Sequence, residues 1–163
     1  MNEILASLQQ SAYGVLVGKS VWGYAVFECV HLFGIVSLVG AITLTDLRLL
    51  GVSRALPVAL TSKYLLRWVW FGFALCVIGG GSLFVSDGKI FVANPFFLSK
   101  MVLIVLAGLN AAFFEFRVFK GVADWDRGVS TPIAAKICAL LSLSFWFAAV
   151  AAGRLIAYST LWP

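Results

Sequence analysis

The only histidine of the chain and a glutamate lie three residues apart in an otherwise apolar stretch. Glu28 and His31 are therefore expected on the same side of one helix. Ionisable groups near the centre of a bilayer cost about 2.5–3.5 kcal/mol each on insertion scales, so such a pair favours a functional site over a purely structural role. The same side of the helix continues through Tyr24, Gly34, Ala41 and Thr45. We expect this polar, small-residue side to face the interior of a helix bundle.

Three further polar side chains are expected in the same bundle. Lys100 begins the third apolar segment, about 6 Å below the outer surface, and Arg154 ends the fourth segment at a similar height. His31 lies roughly 16 Å below that surface, and Asn110 lies about one helical turn deeper. In the structural alternative to a functional site, Glu28 would pair with Lys100 or Arg154. A carboxylate there would also orient the His31 ring, as carboxylates beside ligating histidines do.

A single histidine narrows the metal chemistry that these residues could support. A Glu-x-x-His step is half of a di-iron carboxylate site, but its second half has no counterpart in the sequence. Copper transport would use several cysteines, methionines or histidines, and the candidates beyond His31 are Met101 and Cys76. A b-type haem requires only one axial histidine. His31 is therefore the expected metal ligand, and haem b is the expected cofactor.

The rest of the sequence could supply the surroundings of a haem. Phe- and Trp-rich segments would form an apolar slot, and Lys100 and Arg154 would neutralise the propionates. The glycines at 79–81 would allow close backbone approach, although small residues also simply let membrane helices pack. Glu28 and Asn110 complete the predicted site. Alternatives stay open: copper, proton or small-solute binding or transport at a Glu–His–Lys site, a structural ion pair beside a satisfied histidine, or an accessory subunit of a larger complex.

Composition indicates that these residues lie in a membrane protein. The chain has 163 residues, of which 62% are hydrophobic and 12% charged, and its mean hydropathy is +1.02. Soluble domains are about 45–50% apolar and about 25% charged. A spanning helix needs about 20 apolar residues, so four spans fit with short loops. The net charge of +5 comes from Lys and Arg near the span ends, which excludes nucleic acid as a partner in favour of the lipid bilayer.

The apolar segments predict an all-α fold, a bundle of four transmembrane helices in one domain over residues 1–163. An amphipathic helix at 2–18 would lie along the membrane interface. The spans are predicted at 20–44, 65–85, 96–114 and 133–156, with a turn at 86–89 and a polar loop at 115–131. Asn94-Pro95 would start the third span, and Pro132 would start the fourth.

The same sequence features resemble those of known membrane families. Beside His31 in the first span, they are Asp46-Leu47-Arg48-Leu49-Leu50-Gly51, Asn94-Pro95-Phe96-Phe97-Leu98-Ser99-Lys100, and Asn110. They resemble an uncharacterised family of small four-helix bacterial membrane proteins. More distantly, they are similar to the membrane domain of copper resistance protein D and to the four-helix, haem-binding protoporphyrinogen oxidase of bacteria.

The resemblance to the oxidase concerns two positions above all. The oxidase has a histidine in its first span and a lysine at the start of its third, which His31 and Lys100 match. It has further histidines, including one where Ser99 stands in this chain. The resemblance therefore implies a His–Lys membrane site for haem rather than the oxidase reaction itself. We therefore expect electron transfer or oxidoreduction on the outer side of the membrane, with a redox protein or a larger complex as partner and an oligomeric assembly.

Basic residues predict the orientation in a bacterial inner membrane, because cytoplasmic loops are enriched in Lys and Arg. Eight basic residues flank the first and third loops: Arg48, Arg54, Lys63, Arg67, Arg117, Lys120, Arg127 and Lys136. Four lie near the opposite ends of the spans: Lys19, Lys89, Lys100 and Arg154. The chain is thus expected to be a multi-pass protein with both termini in the periplasm.

Reporter fusions test this orientation. Alkaline phosphatase fused to either terminus should be active, whereas green fluorescent protein fused at the same place should not fluoresce. The reason is that alkaline phosphatase matures in the periplasm and green fluorescent protein does not. Fusions within the loop after Gly51 should show the opposite pattern. Fluorescent fusions at both termini would reverse the assigned orientation.

Overall fold

The computed structural model describes residues 2–126 and 130–158, apart from the side chains of Asn2 and Asp124. The described residues are predominantly helical and contain no strand. The helices are α1 (Asn2–Gln10), α2 (Ala12–Lys19), α3 (Gly23–Leu50), α4 (Val58–Ala93), α5 (Pro95–Phe113) and α6 (Ile133–Ile156). Four of them, α3 to α6, are long and apolar enough to cross a membrane, α5 together with its continuation to Ala123. The predicted all-α class with four candidate spans is confirmed.

Helices α3 and α4 form the most closely packed pair, and glycines bring their backbones together. An added Cβ at Gly72 would lie 2.5 Å from the Leu38 nitrogen, and one at Gly79 would lie 2.6 Å from the His31 nitrogen. Gly34 meets the backbone of α4 in the same way, 2.7 Å from the Cys76 nitrogen. Side chains larger than hydrogen at these positions would therefore push the two helices apart.

Helix α4 is longer than its predicted span. We expected it to cover 65–85 and to end in a turn at 86–89, but it contains 36 residues and is about 54 Å long. The turn signal produces a kink instead, since Asp87 has φ −135° and ψ 25° within a helix that continues to Ala93. Ser86 and Gly88 beside the kink are buried, because the N-terminal helices pack there.

The N-terminal segment consists of two helices rather than the single helix predicted at 2–18. They join at Ser11, whose hydroxyl accepts a hydrogen bond from the Gly14 nitrogen and caps α2. The Gln9 amide donates to the Ser86 carbonyl at 2.7 Å, and the Tyr13 hydroxyl lies 2.7 Å from that of Ser82. One side of the segment therefore packs on α4. Its interfacial location stays a prediction, with Ile4, Leu8 and Leu16 exposed on the other side.

The second helical hairpin begins as predicted. Asn94 caps α5 by accepting a hydrogen bond from the Phe96 nitrogen at 2.9 Å, and Pro95 occupies the first turn. Helix α5 packs mainly on α6 and only sparsely on α4.

The prediction of a polar loop at 115–131 is wrong for the first part of this range. The chain continues there as a π-helix (Phe114–Val118) and a 3₁₀-helix (Phe119–Asp124). These turns place Trp125 in an apolar cluster with residues that include Leu49 and Val58. Residues 127–129, with the predicted topology residue Arg127, lie outside the described part.

Replacement of one α4 glycine should separate the two closest helices. Gly72→Ala forces a methyl group against the Leu38 backbone, and overpacking of this kind typically costs about 1–3 kcal/mol. We expect a lower midpoint of thermal unfolding in detergent. Gly81→Ala is the matched control on the same helix, because no atom lies within 4 Å of its added Cβ. Equal effects of the two substitutions would contradict the close α3–α4 contact.

Candidate functional site

His31 lies half-buried on α3, where the backbone of α4 determines the orientation of its ring. Its Nδ1 is 3.0 Å from the carbonyl oxygen of Cys76. A carbonyl oxygen can only accept a hydrogen bond, so Nδ1 carries the proton and donates. In the neutral ring, Nε2 is then left with its lone pair. This is the arrangement that positions a histidine for a metal, an acid or another donor at Nε2.

Lys100 of α5 provides the group that faces this lone pair. Its Nζ lies 3.4 Å from His31 Nε2, so the ammonium donates to the imidazole. The lysine side chain lies over Gly153 of α6, where an added Cβ would be 3.5 Å from Nζ and 3.6 Å from Cδ. The contact therefore joins α3, α5 and α6 in the outer half of the predicted bundle. The structure brings together the two residues on which the sequence resemblance depends.

Glycines contact this pair, and a cluster of phenylalanine rings lies beyond it along α4 and α5. A Cβ at Gly80 would lie 2.8 Å from Cε1 of His31, so the ring occupies the space that this glycine leaves. Three rings, of Phe84, Phe91 and Phe97, stack with centroids 5.5–6.5 Å apart and bridge α4 and α5. Phe84 follows Gly80 by one helical turn and Phe97 precedes Lys100 by about one turn. The aromatic cluster therefore lies between the His31–Lys100 pair and the α4–α5 connection, at the end of the bundle that is predicted to face outward.

Glu28 is not part of this arrangement. It is exposed, and the structure does not show the expected pairing with Lys100 or Arg154. Three residues of an α-helix correspond to a rotation of about 300°, which leaves Glu28 about 60° from His31 around the helix. The buried residue Gly34 lies on the opposite side of His31, so Glu28 turns outward. The Cys76 carbonyl, rather than a carboxylate, orients the ring.

The other two predicted site residues have separate partners. Arg154 is exposed and donates to the Tyr158 hydroxyl at 3.1 Å, with its guanidinium 5.2 Å from the centre of that ring. Asn110 donates to the Cys138 carbonyl at 2.9 Å and so fastens α5 to α6. The structure shows neither in contact with His31 or Lys100. Of the five predicted residues, only His31 and Lys100 come together.

When Lys100 is protonated, no carboxylate among the described residues neutralises its charge. Within 2–126 and 130–158, no Asp or Glu forms an ion pair with the Lys100 ammonium. Its hydrogen-bond partner is a neutral imidazole nitrogen. A charge in such an apolar setting is costly unless it is paired. The site is therefore suited to a ligand that brings negative charge.

Three groups of possible functional importance are not identified by the sequence prediction: two lie beside the His31–Lys100 pair and one lies elsewhere on α3. The Cys76 carbonyl is a backbone group, which no residue type reveals. Gly153 could have been found, since it precedes Arg154 at the same predicted height as Lys100. Asp46 is assigned to no site by the sequence, but it is only 5% exposed and lies within α3.

Stability measurements distinguish the observed arrangement from the predicted ion pair. Lys100→Met leaves no buried carboxylate without a partner, so the free energy of unfolding should fall by no more than about 1 kcal/mol, the value of one hydrogen bond. Loss of one partner from a buried ion pair would cost about 3–5 kcal/mol. Glu28→Gln should leave the unfolding midpoint in detergent unchanged. If both variants lost much of the free energy of unfolding and the losses were not additive in the double variant, the results would support a Glu28–Lys100 ion pair instead.

Comparisons with known proteins identify the family to which the chain belongs. No curated protein matches the chain, and no solved structure matches it either. The similarity to copper resistance protein D and to the protoporphyrinogen oxidase therefore stays a prediction. One family model matches residues 7–159. This range includes all four candidate spans and both His31 and Lys100. The chain belongs to this family, which is described as a family of unknown function, DUF6644.

Proposed function

We propose that the chain is a haem b-binding protein of the bacterial inner membrane that acts in electron transfer or oxidoreduction on the outer side, with His31 as the iron ligand. The observation that carries the proposal is the orientation of the imidazole. Its Nδ1 is engaged by the Cys76 carbonyl, which leaves Nε2 as the nitrogen available for coordination. A bound haem would supply reversible one-electron transfer at its iron.

The unpaired charge of Lys100 supports the same ligand. Haem b combines a metal that an imidazole can coordinate with two propionates that a cation can neutralise. Lys100 would move from His31 Nε2 to a propionate, which exchanges a hydrogen bond for an ion pair. We assign the propionate contact to Lys100 rather than to Arg154, because Arg154 is directed to Tyr158.

The fit depends on movement of the Lys100 side chain. A metal–imidazole bond is about 2.0–2.1 Å long, whereas Nζ lies only 3.4 Å from Nε2, so the ammonium and an iron ion compete for the same nitrogen. The four-carbon stem of a lysine is flexible enough for such a displacement. Two shallow apolar cavities of about 410 and 520 Å³ lie elsewhere on α3 and α4, and neither is lined by His31 or Lys100.

A small anionic solute is the second candidate ligand, and the unpaired ammonium is the observation that favours it. Such a solute would neutralise Lys100 without coordination by His31. Copper has less support, because no group of three or more His, Cys, Asp or Glu side chains that could hold a metal ion occurs in the described part of the chain. A redox partner, an oligomer and an accessory role in a larger complex remain proposals.

An absorbance spectrum of the purified protein tests the proposal. With haem supplied during expression, we expect a Soret band and α and β bands on reduction. His31→Ala should abolish them, because no other imidazole exists in the chain, while membrane insertion persists. Lys100→Ala should lower haem occupancy several-fold without changing the positions of the bands. Glu28→Gln, one turn away on the exposed side of α3, is the matched control and should retain full occupancy.

Two results would contradict the proposal. Full haem content in His31→Ala would remove His31 as the ligand. A folded wild-type protein without haem, combined with thermal stabilisation by a small anion that Lys100→Met abolishes, would favour the second candidate.

A further inference from the structure

A second polar site lies near the other end of α3, at Asp46. The residue is only 5% exposed and is surrounded by protein rather than by water. It follows His31 by 15 residues, which is about 22 Å along the helix. Between them, α3 presents the buried residues Gly34, Leu38 and Ala41 to its neighbours. The two sites are therefore separated by an apolar stretch.

Helix α6 provides the neighbours of Asp46 for which the structure gives an interaction. The Ser142 hydroxyl lies close enough to Asp46 to interact with its carboxyl group, and the carboxyl group interacts electrostatically with Cys138, one turn earlier on α6. Oδ2 of Asp46 has no hydrogen-bond partner although it is buried. A buried carboxyl group with one unsatisfied oxygen requires a further partner.

The nearby charges do not provide this partner. Arg48, two residues along α3, donates to the carbonyl oxygens of Leu56, Arg54 and Asp126. The Asp126 carboxylate accepts from the Ala59 nitrogen at the start of α4. Among the residues that the structure describes, no charged side chain of α4 or α5 interacts with Asp46. An ionised Asp46 would thus be an unpaired buried charge, which proteins avoid by neutralisation.

We propose that Asp46 is a proton-binding site in the inner half of the membrane domain. A proton taken up from water binds one carboxylate oxygen and gives the neutral acid; on release the proton returns to water and leaves the carboxylate beside the Ser142 hydroxyl. A proton suits the site better than a metal cation, because hard cations require about six or more oxygen ligands. Among the described residues, Ser142 is the one further oxygen-bearing side chain that interacts with this carboxyl group.

Infrared spectroscopy of the full-length protein in lipid nanodiscs tests the proposal. At neutral pH, we expect a carbonyl-stretch band of a protonated carboxyl group that disappears in Asp46→Asn. The band should shift when H₂O is replaced by D₂O, because the proton exchanges. Ser142→Ala should shift the frequency without abolishing the band, which keeps the assignment testable if Asp46→Asn does not fold. Glu28→Gln should leave the band intact.

Three outcomes would overturn the proposal. Absence of the band would mean that Asp46 is ionised, and a band that is insensitive to D₂O would make the proton a permanent structural element. Loss of the band on addition of Na⁺ at constant pH would assign the site to a metal cation. None of these outcomes depends on haem at His31, since Asp46→Asn is expected to keep the haem content of the wild type.

Discussion

The close approach of α3 and α4 is the constraint from which the rest of the site follows. Lipid chains are as apolar as most side chains, so membrane helices gain little from hydrophobic burial and associate through close packing at small residues. Gly34, Gly72 and Gly79 allow backbone-to-backbone contact. This contact brings the Cys76 carbonyl within hydrogen-bonding distance of His31, while Gly80 leaves room for the ring. The packing of these two helices thus determines which nitrogen of the imidazole carries the proton.

The sequence predicts the elements better than their relative rotation. The four apolar segments and the start of the third span at Asn94-Pro95 are local signals, and the structure contains each of them. The first of these helices continues to Leu50, six residues beyond the predicted end of the span at 44. Depth estimates at 1.5 Å per residue placed Lys100 and His31 in the same half of the bundle, but about 10 Å apart in depth. The kink at Asp87 could not be predicted, since it depends on the N-terminal helices that pack against α4.

The candidate site shows the same limit more sharply. Helical spacing established that Glu28 and His31 are neighbours, but not which of them faces the bundle, because that depends on the contacts of α3 with other helices. The group that orients His31 is a backbone carbonyl. Every residue has such a group, so the residue types in the sequence cannot show which one is used. Asp46 was missed because an acidic residue close to a helix end is usually a loop residue, and only its packing against α6 distinguishes it.

Because His31 is the only histidine, the site can be observed by magnetic resonance without a single substitution. Protein grown with ¹⁵N-labelled histidine contains one imidazole, so its spectrum has two ring-nitrogen signals and requires no sequential assignment. Their chemical shifts differ between a protonated and an unprotonated nitrogen, which reports directly on the tautomer held by the Cys76 carbonyl. The same two signals would register any ligand that takes the place of Lys100 at Nε2.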